Sequence, residues 1–388
     1  MFQYRRPAGR AFSVAVYLYE PGDGGLDRVA ILLANHLRRR GVPVELWMAR
    51  TQGAGAHLID PALTVRRVAA PGGKRRLSMI AQFPALAAMV RRHRPDILYS
   101  AGNQSNMLVA LAALGSDTKA VGRISNPILR PDQRGANGWA RLTKFRAIAR
   151  LSALTIVMGE HDRALLADSG DVRLLPRPTV TAAMEQARAA RQPRTPGTPH
   201  RLLMVGRLTA QKDQATALDA LARLPHLDWR LTIAGQGALH ADLQRQCVAL
   251  GISDRVDFAG YVGDPVALAT LMGQADLLLQ PSRWEGLCAT LIEALACGAQ
   301  VVATDSTPNI RPVLAQAGQH PVTPVGDAAA FARAIEQTLA RPASPARLAA
   351  AVRDHGVDRA LDRYLRAFEA LVGAASTQPP VASPVLMR

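Results

Sequence analysis

The strongest constraint on the fold of this chain is a repeated alternation between short apolar runs and longer amphipathic segments. Phe12–Leu18 is the first apolar run and is predicted to be a buried strand, whereas Asp27–Arg40 shows the periodicity of a helix. The same two patterns return as a strand at Val44–Met48 and a helix at Ser78–His93. Strands that alternate with helices favour a parallel sheet covered by helices on both faces. The sequence therefore predicts an α/β fold.

A polar, proline-rich stretch at residues 181–199 interrupts this alternation and is interpreted as an interdomain linker. A second alternating series follows, beginning with a strand at Arg201–Val205. The 388 residues suit two domains, since a single domain commonly holds about 100–200 residues. We therefore predict doubly wound, Rossmann-like domains at residues 1–180 and 200–355, with a cleft between them. Residues 376–388 are predicted to form a disordered tail.

The charge of the chain is strongly positive and unevenly placed. There are 47 Lys and Arg residues against 30 Asp and Glu, which gives a formal net charge of +17. Residues 1–170 carry 25 basic and 11 acidic side chains, so most of the excess lies in the N-terminal half. Such an excess predicts an anionic partner: a phosphorylated substrate, an acidic membrane surface or nucleic acid. An aromatic content of 4% and the lack of a recognised nucleic-acid module disfavour nucleic acid.

Clusters of basic residues account for most of this excess. They are Arg66-Arg67, Lys74–Arg76, Arg91–Arg94 and the run from Arg130 to Arg150. One interpretation is an ordinary solvated surface in an arginine-rich chain. In the other, residues 75–92, which combine an apolar stripe with flanking cations, lie against anionic lipid.

Nothing in the sequence predicts export or a membrane span. The apolar run Ala11–Tyr19 is nine residues long, too short to cross a bilayer, and it lacks a small-residue cleavage site. The three cysteines, Cys247, Cys288 and Cys297, show neither a C-x-x-C motif nor a metal-ligand spacing, which is typical of a reducing compartment. We therefore expect a cytoplasmic protein that is peripheral at the inner face of the cell membrane.

The most informative stretch of the sequence runs from Pro281 to Gly298. Glu285 stands after a predicted strand and just ahead of a predicted helix. The small residue Gly286 lets the backbone approach a ligand, and the N–H groups of residues 286–288 point out of the helix end, which suits a diphosphate. Glu293 lies two helical turns further on, rotated by about 80° from Glu285. Two carboxylates placed in this way can reach two parts of one extended ligand.

Two further turns follow predicted strands. In one, Gly206 ends a strand, and Arg207 and Lys212 occupy the loop before the next helix. Two cations five residues apart are suited to neutralising two phosphate groups. In the other turn, Gly24 and Gly25 stand between the first strand and the first helix, where the backbone can come close to a ligand.

The order of these pieces resembles the family 4 glycosyltransferases, which are retaining sugar-nucleotide enzymes. Their E-x7-E element is matched by Glu285 and Glu293, and their G-R-L…K-D segment by Gly206–Asp213. The resemblance covers most of residues 12–370. It implies the GT-B fold, in which two Rossmann-like domains face each other across a cleft, with a C-terminal helix at residues 356–375 packing back on the N-terminal domain.

The resemblance also implies a role for each matched residue. Arg207 and Lys212 would bind the donor diphosphate and stabilise charge on the leaving nucleotide. Glu293 would accept hydrogen bonds from the ribose hydroxyls, and Glu285 would contact the donor sugar near the reacting carbon. The donor-binding set implied in this way is Gly24, Gly25, Gly206, Arg207, Lys212, Glu285, Gly286, Leu287, Cys288 and Glu293, and the catalytic residues among them are Glu285, Arg207 and Lys212.

The activity that this resemblance implies is transfer of a hexose or N-acetylhexosamine from a UDP- or GDP-linked donor. The acceptor would be a lipid-linked saccharide or a polysaccharide in the synthesis of lipopolysaccharide, capsule or exopolysaccharide. Because no D-x-D motif occurs, the cations take the place of a metal, and no metal or other cofactor is expected. The alternatives are a sugar-nucleotide epimerase or a phosphorylase-type enzyme of the same fold, and a non-catalytic basic scaffold.

The chain departs from the family pattern at two places. Relatives often carry a histidine near the sugar in the first domain, and the comparable segment here offers Arg123 or Asn126 instead. Neither side chain can shuttle a proton, and His161 is interpreted as a helix-start residue rather than a catalyst. After Asp305, relatives often have Gly-Pro-x-Glu-Ile-Leu, whereas this chain has Ser-Thr-Pro-Asn-Ile, so a frequent acidic contact is missing.

Overall fold

Two parallel β-sheets organise residues 12–22, 24–70, 79–129, 135–319 and 322–373, which are the residues that this computed structural model describes. The first sheet contains β1 (Val14–Leu18), β2 (Val44–Met48), β3 (Thr64–Arg67), β4 (Ile97–Ser100), β5 (Lys119–Arg123), β6 (Leu154–Val157) and β7 (Val172–Leu174). The second contains β8 (His200–Val205), β9 (Trp229–Ala234), β10 (Val256–Gly260), β11 (Leu277–Gln280), β12 (Gln300–Thr304) and β13 (Val322–Thr323).

Helices connect the strands throughout both sheets. Those of the first half are α1 (Gly25–Arg39), α2 (Phe83–His93), α3 (Asn106–Ala113), α4 (Ala136–Leu151), α5 (Glu160–Leu165) and α6 (Ala182–Ala189). Those of the second half are α7 (Gln214–Ala222), α8 (His240–Ala249), α9 (Pro265–Gln274), α10 (Ala289–Ala296), α11 (Ile310–Gln316), α12 (Ala328–Ala340), α13 (Pro345–Ala351) and α14 (Val357–Val372).

The strand order of each sheet reverses once. It is β3-β2-β1-β4-β5-β6-β7 in the first sheet and β10-β9-β8-β11-β12-β13 in the second. The chain therefore winds outward in both directions from the β1/β4 pair and from the β8/β11 pair. The loops at the carboxyl ends of such a pair diverge, and the crevice between them is where open α/β sheets bind ligands.

The strands are apolar because both faces of each sheet are covered. In β1, Val16 packs with α1 and α14 on one face, and the next residue, Tyr17, packs with α2 and α3 on the other. All five residues of β1 are buried. Strands buried on both faces carry near-continuous apolar runs rather than an alternation of apolar and polar residues. The α/β fold class predicted from the sequence is thereby confirmed.

The predicted element bounds differ little from the structure. The first helix spans Gly25–Arg39 rather than Asp27–Arg40, and α2 covers Phe83–His93 of the helix predicted at Ser78–His93. Residues 79–81 are also helical, Gln82 forms a turn, and Ser78 lies outside the described residues. The segment 181–199, predicted as a linker, contains α6, which packs against α9 and α10. The polar composition of this segment did not indicate a helix, because the apolar face of the helix is small and Met184 is the residue that it buries. The predicted tail at 376–388 lies outside the described residues, and the domain boundaries stay a prediction.

The C-terminal helix α14 follows the second sheet in the chain but packs on the first. Its residues Tyr364 and Phe368 are fully buried in the same core cluster as β1. Tyr99 of β4 lies with its ring centroid 6.4 Å from that of Tyr364 and 5.9 Å from that of Phe368. At the edge of this contact, His36 of α1 pairs with Asp362 at 2.9 Å. The helix therefore completes one face of the first sheet.

Among the described residues, no helix combines the length and the apolar character needed to span a bilayer.

Replacing Phe368 with Ala is expected to lower the free energy of unfolding by about 3–5 kcal/mol, because it leaves a cavity against Tyr99 in a fully buried cluster. Chemical denaturation followed by circular dichroism measures the loss. Arg366→Ala is the matched control, since Arg366 is exposed on the same helix and its loss should change stability by less than about 0.5 kcal/mol. Equal effects of the two variants would contradict the proposed packing of α14.

Candidate functional site

The predicted site residues of the C-terminal half lie at the carboxyl edge of the second sheet, at its reversal point. Gly206, Arg207 and Lys212 belong to the loop that follows β8, and Glu285 belongs to the loop that follows β11. Because β8 and β11 are paired neighbours, the two loops meet although they are more than 70 residues apart in sequence. The hydrogen bond from the backbone N–H of Arg283 to the carbonyl of Gln211, 2.8 Å long, joins them directly.

Lys212 and Glu285 form an ion pair in a mostly enclosed position. The Nζ atom of Lys212 lies 2.6 Å from Oε1 of Glu285, and the two side chains are 16% and 10% exposed. The Ser282 hydroxyl donates to the same carboxylate oxygen at 2.9 Å. Burial lowers the pKa of Lys212, but the attraction and the hydrogen bond of the Glu285 carboxylate act against burial, and the pKa lies above its ordinary value. Lys212 is therefore a fixed cation whose charge is already partly compensated.

The three residues after Glu285 lead into α10. Gly286, Leu287 and Cys288 are all buried, and Cys288 is the N-cap residue, with no side-chain hydrogen bond that caps the helix. The first N–H groups of a helix have no partner within it, so this end favours a negative group. Burial raises the pKa of the Cys288 thiol, which keeps it neutral. Arg207, on the facing loop, is exposed to solvent.

Glu293 occupies a separate part of the same edge. It lies on α10, is half-buried, and accepts a hydrogen bond of 2.5 Å from the Thr179 hydroxyl. Thr179 belongs to the segment that leaves β7 and enters the second half of the chain. Glu285 thus pairs with Lys212 of the loop after β8, whereas Glu293 bonds to Thr179 in the segment between β7 and β8. The two acids of the E-x7-E element therefore have different partners.

Gly24 and Gly25 begin α1 at the carboxyl edge of the first sheet. Gly24 is the N-cap residue and Gly25 is the first residue of the helix. A Cβ atom on Gly25 would lie 2.3 Å from Nη2 of Arg177, so any larger residue would displace that guanidinium. The Nη1 atom of Arg177 in turn lies 3.4 Å from the carbonyl oxygen of Leu287. Arg177 therefore connects the glycine turn of one sheet with the diphosphate loop predicted in the other.

Gly286 is in close contact with the first half of the chain. A Cβ atom there would lie 2.3 Å from the carbonyl oxygen of Ser125, which explains why glycine is needed. The Asn309 amide donates to the carbonyl of Gly286 at 3.2 Å and to the carboxylate of Asp162 at 3.1 Å. Burial raises the pKa of Asp162, against the effect of the Asn309 hydrogen bond. Asn309 lies in the segment that departs from the family pattern, and its amide serves as a contact between the two halves.

The two candidate replacements for the histidine of the family have different surroundings. Arg123 is 0% exposed, and its Nη2 atom contacts the sulfur of Met158 at 2.9 Å. Asn126 is exposed, and its Cα atom lies 3.3 Å from the Cβ position of Gly286. Of the two, Asn126 is the one exposed to solvent, and its backbone adjoins Gly286. His161 is exposed at the second position of α5, the helix-start position assigned to it.

Four residues that sequence reasoning did not assign take part in this site: Arg177, Thr179, Asp162 and Asn309. Asn309 carried a signal, since it lies in the segment that departs from the family pattern. Arg177 and Thr179 carried none, because they lie outside any motif and reach the site through the path of the chain between the two sheets.

Two family models match the chain one after the other. The model described as "Glycosyl transferase 4-like domain" matches residues 24–182, and the model described as "Glycosyl transferases group 1" matches residues 185–355.

Curated relatives match either over a short part of the chain or, at lower sequence identity, over most of it. The chain is 37% identical over 125 residues to a GDP-mannose-dependent alpha-(1-6)-phosphatidylinositol dimannoside mannosyltransferase of Mycobacterium tuberculosis. That match covers 31% of this chain and 32% of the relative, so the chain spans about a third of the relative's length. The lipopolysaccharide core biosynthesis glycosyltransferase LpsE of Rhizobium meliloti is 26% identical over 341 residues, with 84% of this chain and 89% of that protein covered.

Solved structures share the whole architecture at low sequence identity. The sucrose-phosphate synthase of Thermosynechococcus elongatus has a TM-score of 0.75 at 19% identity, covering 94% of this chain and 100% of its own. The Anabaena protein HepE, in complex with UDP and glucose, has a TM-score of 0.71 at 19% identity, covering 92% and 99%. These likenesses establish the fold.

The Lys212–Glu285 pair is expected to show a coupling free energy of about 1–3 kcal/mol in a double-mutant cycle, because removing either partner leaves the other charge enclosed and unpaired. Unfolding of Lys212→Met, Glu285→Gln and the double variant gives this value. The exposed pair Arg173–Asp171 is the control and should couple by less than about 1 kcal/mol. A Lys212–Glu285 coupling as small as that of the control would show that burial does not strengthen the pair.

Proposed function

Because the chain belongs to the family of group 1 glycosyl transferases, we propose that it moves a hexose or N-acetylhexosamine from a UDP- or GDP-linked donor, with retention of configuration. The proposed acceptor is a lipid-linked saccharide or a polysaccharide in cell-surface glycan synthesis. One observation carries the proposal. Lys212, Glu285 and the N-terminal end of α10 meet at the reversal point of the second sheet, and Gly25 of the first sheet approaches the same loop through Arg177.

The charges of this edge suit a nucleoside diphosphate. Arg207 is exposed and Lys212 is a fixed cation, so the two offer positive charge from one loop. The N–H groups at the start of α10 follow directly after the Glu285 loop, and such a helix end favours a phosphate. Glu293 uses its Oε1 atom for Thr179, and its other oxygen can accept a ribose hydroxyl. We therefore assign the diphosphate to the loops and the ribose to Glu293.

The relatives support both donor classes and a glycan acceptor. The name of the mycobacterial relative states GDP-mannose as its donor, and the HepE structure contains UDP and glucose. The name of the rhizobial relative places that protein in lipopolysaccharide core synthesis. On this basis we propose a UDP- or GDP-linked donor and a place in the synthesis of lipopolysaccharide, capsule or exopolysaccharide.

Retention of configuration is proposed through front-face attack. The Glu285 carboxylate accepts from Lys212 and Ser282, so it is held as a charge partner rather than as a free nucleophile or base. In the proposed step the acceptor hydroxyl attacks from the side of the departing diphosphate, and the diphosphate takes the proton. Arg207, Lys212 and the helix N–H groups stabilise the negative charge that builds up on the leaving group. The proposed step uses no metal and no other cofactor.

The first sheet offers a matching place for the acceptor. A pocket lies at the carboxyl ends of β1 and β4, the reversal point of that sheet. Its lining combines aromatic and aliphatic surface with polar groups, a mixture that suits a saccharide on an apolar carrier. The lining residues are Tyr17, Leu18, Tyr19, Leu26, Asp27, Met79, Ala101, Gly102, Gln104 and Ser105.

Exposed apolar and basic side chains on the first half support a peripheral site on the inner membrane surface. Trp139 of α4 is 71% exposed and Phe83 of α2 is 41% exposed, and both helices adjoin α3. The same helices carry exposed cations, among them Arg91 and Lys144. Exposed aromatic groups beside cations favour anionic lipid. Part of the basic excess, at residues 74–76, lies outside the described residues.

The donor assignment is tested by Glu293→Ala. Its affinity for the preferred nucleotide sugar is expected to fall about 10- to 150-fold, because a hydrogen bond to a charged acceptor contributes about 1.5–3 kcal/mol. Thermal shifts with UDP, GDP, ADP and their sugars identify the ligand, since a bound ligand stabilises the folded state by mass action. Isothermal titration calorimetry then measures the affinity of each variant.

Glu336→Ala is the control for this test, since Glu336 pairs with His226 at an exposed position outside the cleft. Unchanged affinity of Glu293→Ala for every nucleotide sugar would contradict the ribose role. Product analysis with an acceptor separates the alternatives, because an epimerase turns over without an acceptor and a phosphorylase needs free phosphate. The anomeric proton of the product, observed by NMR, reports whether configuration is retained.

Membrane association is tested by Trp139→Ser combined with Phe83→Ser. The double variant is expected to lose at least about tenfold in binding to vesicles of phosphatidylglycerol and phosphatidylcholine, because its apolar contact area is removed. Co-sedimentation measures the bound fraction. Val248→Ser, at a side chain that is also 71% exposed but lies in the second half, is the matched control. Equal binding of all variants, or equal binding to neutral vesicles, would contradict the proposal.

A further inference from the structure

Two neighbouring arginine side chains inside the molecule have no acidic group bound to them within the part of the chain that the structure describes. Arg123, at the end of β5, is fully buried. Arg177 follows β7 and is partly buried, and burial and the neighbouring Arg123 lower its pKa. Glu293 attracts Arg177, but in the described ranges neither arginine forms a salt bridge. Like charges enclosed together repel each other and are costly to desolvate, so this arrangement favours an anion nearby.

Both guanidinium groups retain unused hydrogen-bond donors. The Nε atoms of Arg123 and Arg177, and the Nη1 atom of Arg123, are buried and have no hydrogen-bond partner among the described residues. The hydroxyl of Tyr99, which lies near Arg123, is likewise buried without a hydrogen-bond partner among the described residues. Buried donors are nearly always satisfied in folded proteins, so this group is incomplete without a further acceptor.

The position of Arg177 identifies the space where that acceptor would lie. Its Nη2 atom is next to Gly25 at the start of α1, and its Nη1 atom is near the carbonyl of Leu287 in the loop before α10. The backbone of Arg177 is fixed in turn, because its carbonyl accepts a hydrogen bond of 3.1 Å from Nδ1 of His355. The guanidinium is therefore held between the N-terminal ends of two helices.

This location is unfavourable for a cation alone. The start of a helix carries partial positive charge and unpaired N–H groups, so it repels a guanidinium and attracts an anion. A phosphate oxygen between α1 and α10 would accept from Arg177 and from the helix ends together. Guanidinium groups bind phosphate in a planar, two-point geometry that a lysine cannot provide. The loop after β8 carries less uncompensated positive charge, since its Lys212 is paired with Glu285.

We infer that Arg177 is a further binding residue for the diphosphate of the nucleotide donor, acting from the first-sheet side of the cleft with Arg123 behind it. This inference rests on the proposed function. It assigns the donor phosphates a cation from the segment between the two sheets, in addition to Arg207 and Lys212. Arg123 does not reach the ligand and acts as a positioning residue.

The inference is tested by Arg177→Gln and Arg177→Lys, with Arg173→Gln as the matched control, since Arg173 is a nearby arginine that pairs with Asp171 at the surface. Calorimetry with UDP, GDP, inorganic pyrophosphate, uridine and guanosine measures binding. Arg177→Gln is expected to lose at least about tenfold in affinity for the diphosphates and to keep its affinity for the nucleosides. Arg177→Lys should recover part of the loss, and Arg173→Gln should match the unmodified chain.

Equal diphosphate affinity of Arg177→Gln and the unmodified chain would overturn the inference and leave the proposed function standing. A loss that is equal for nucleosides and diphosphates would also overturn it, because it would show a structural role. If the unmodified chain bound neither UDP nor GDP, the proposed function itself would fail. Pyrophosphate would still show whether Arg177 holds an anion.

A second variant covers the case in which Arg177→Gln does not fold. Gly25→Ala places a methyl group against Nη2 of Arg177 and is expected to weaken binding of the same diphosphates by displacing the guanidinium. Because the contact is with the end of a flexible side chain, this variant is expected to keep its fold, which circular dichroism checks. Full diphosphate affinity in Gly25→Ala would count against the inference.

Discussion

Parallel strand pairing is the constraint on which the rest of this structure depends. Every strand of a parallel sheet ends at the same edge, so each loop that follows a strand is delivered to that edge. The reversal of strand order at β1/β4 and at β8/β11 then opens one crevice in each sheet. The glycine turn of α1 and the loops after β8 and β11 lie at these crevices for that reason.

Enclosed charge is the second organising feature. The positive excess of the chain suggested an anionic partner, and the structure divides the cations into groups with different surroundings. Lys212 is balanced by Glu285, whereas no acid among the described residues is bound to Arg123 or Arg177. Exposed cations on α2 and α4 are solvated, so their charges have little effect on the free energy of folding. Arg177, the member of this enclosed pair that adjoins the starts of both α1 and α10, is the residue for which we infer an anionic ligand.

Much of the site could be predicted from the sequence because its residues belong to short local patterns. The spacing of Glu285 and Glu293 and the glycine that follows the first acid are set within one strand, loop and helix, so local periodicity locates them. The pairing of Lys212 with Glu285 joins two loops that are distant in the sequence. The contacts of Arg177 and Thr179 depend on where the chain crosses between the sheets. No local pattern encodes such a crossing.

The sequence by itself determined the α/β class, the alternation of strands and helices, and the acids, cations and glycines that follow strands at one edge of each sheet. Apolar periodicity and turn residues act over a few neighbours, so they can be recognised without coordinates. Tertiary structure alone decided that Arg123 is buried while Asn126 is exposed, that Glu285 is paired with Lys212, and that α14 returns to the first sheet. Burial and ion pairing depend on which distant segments come into contact, and these contacts form only in the folded tertiary structure.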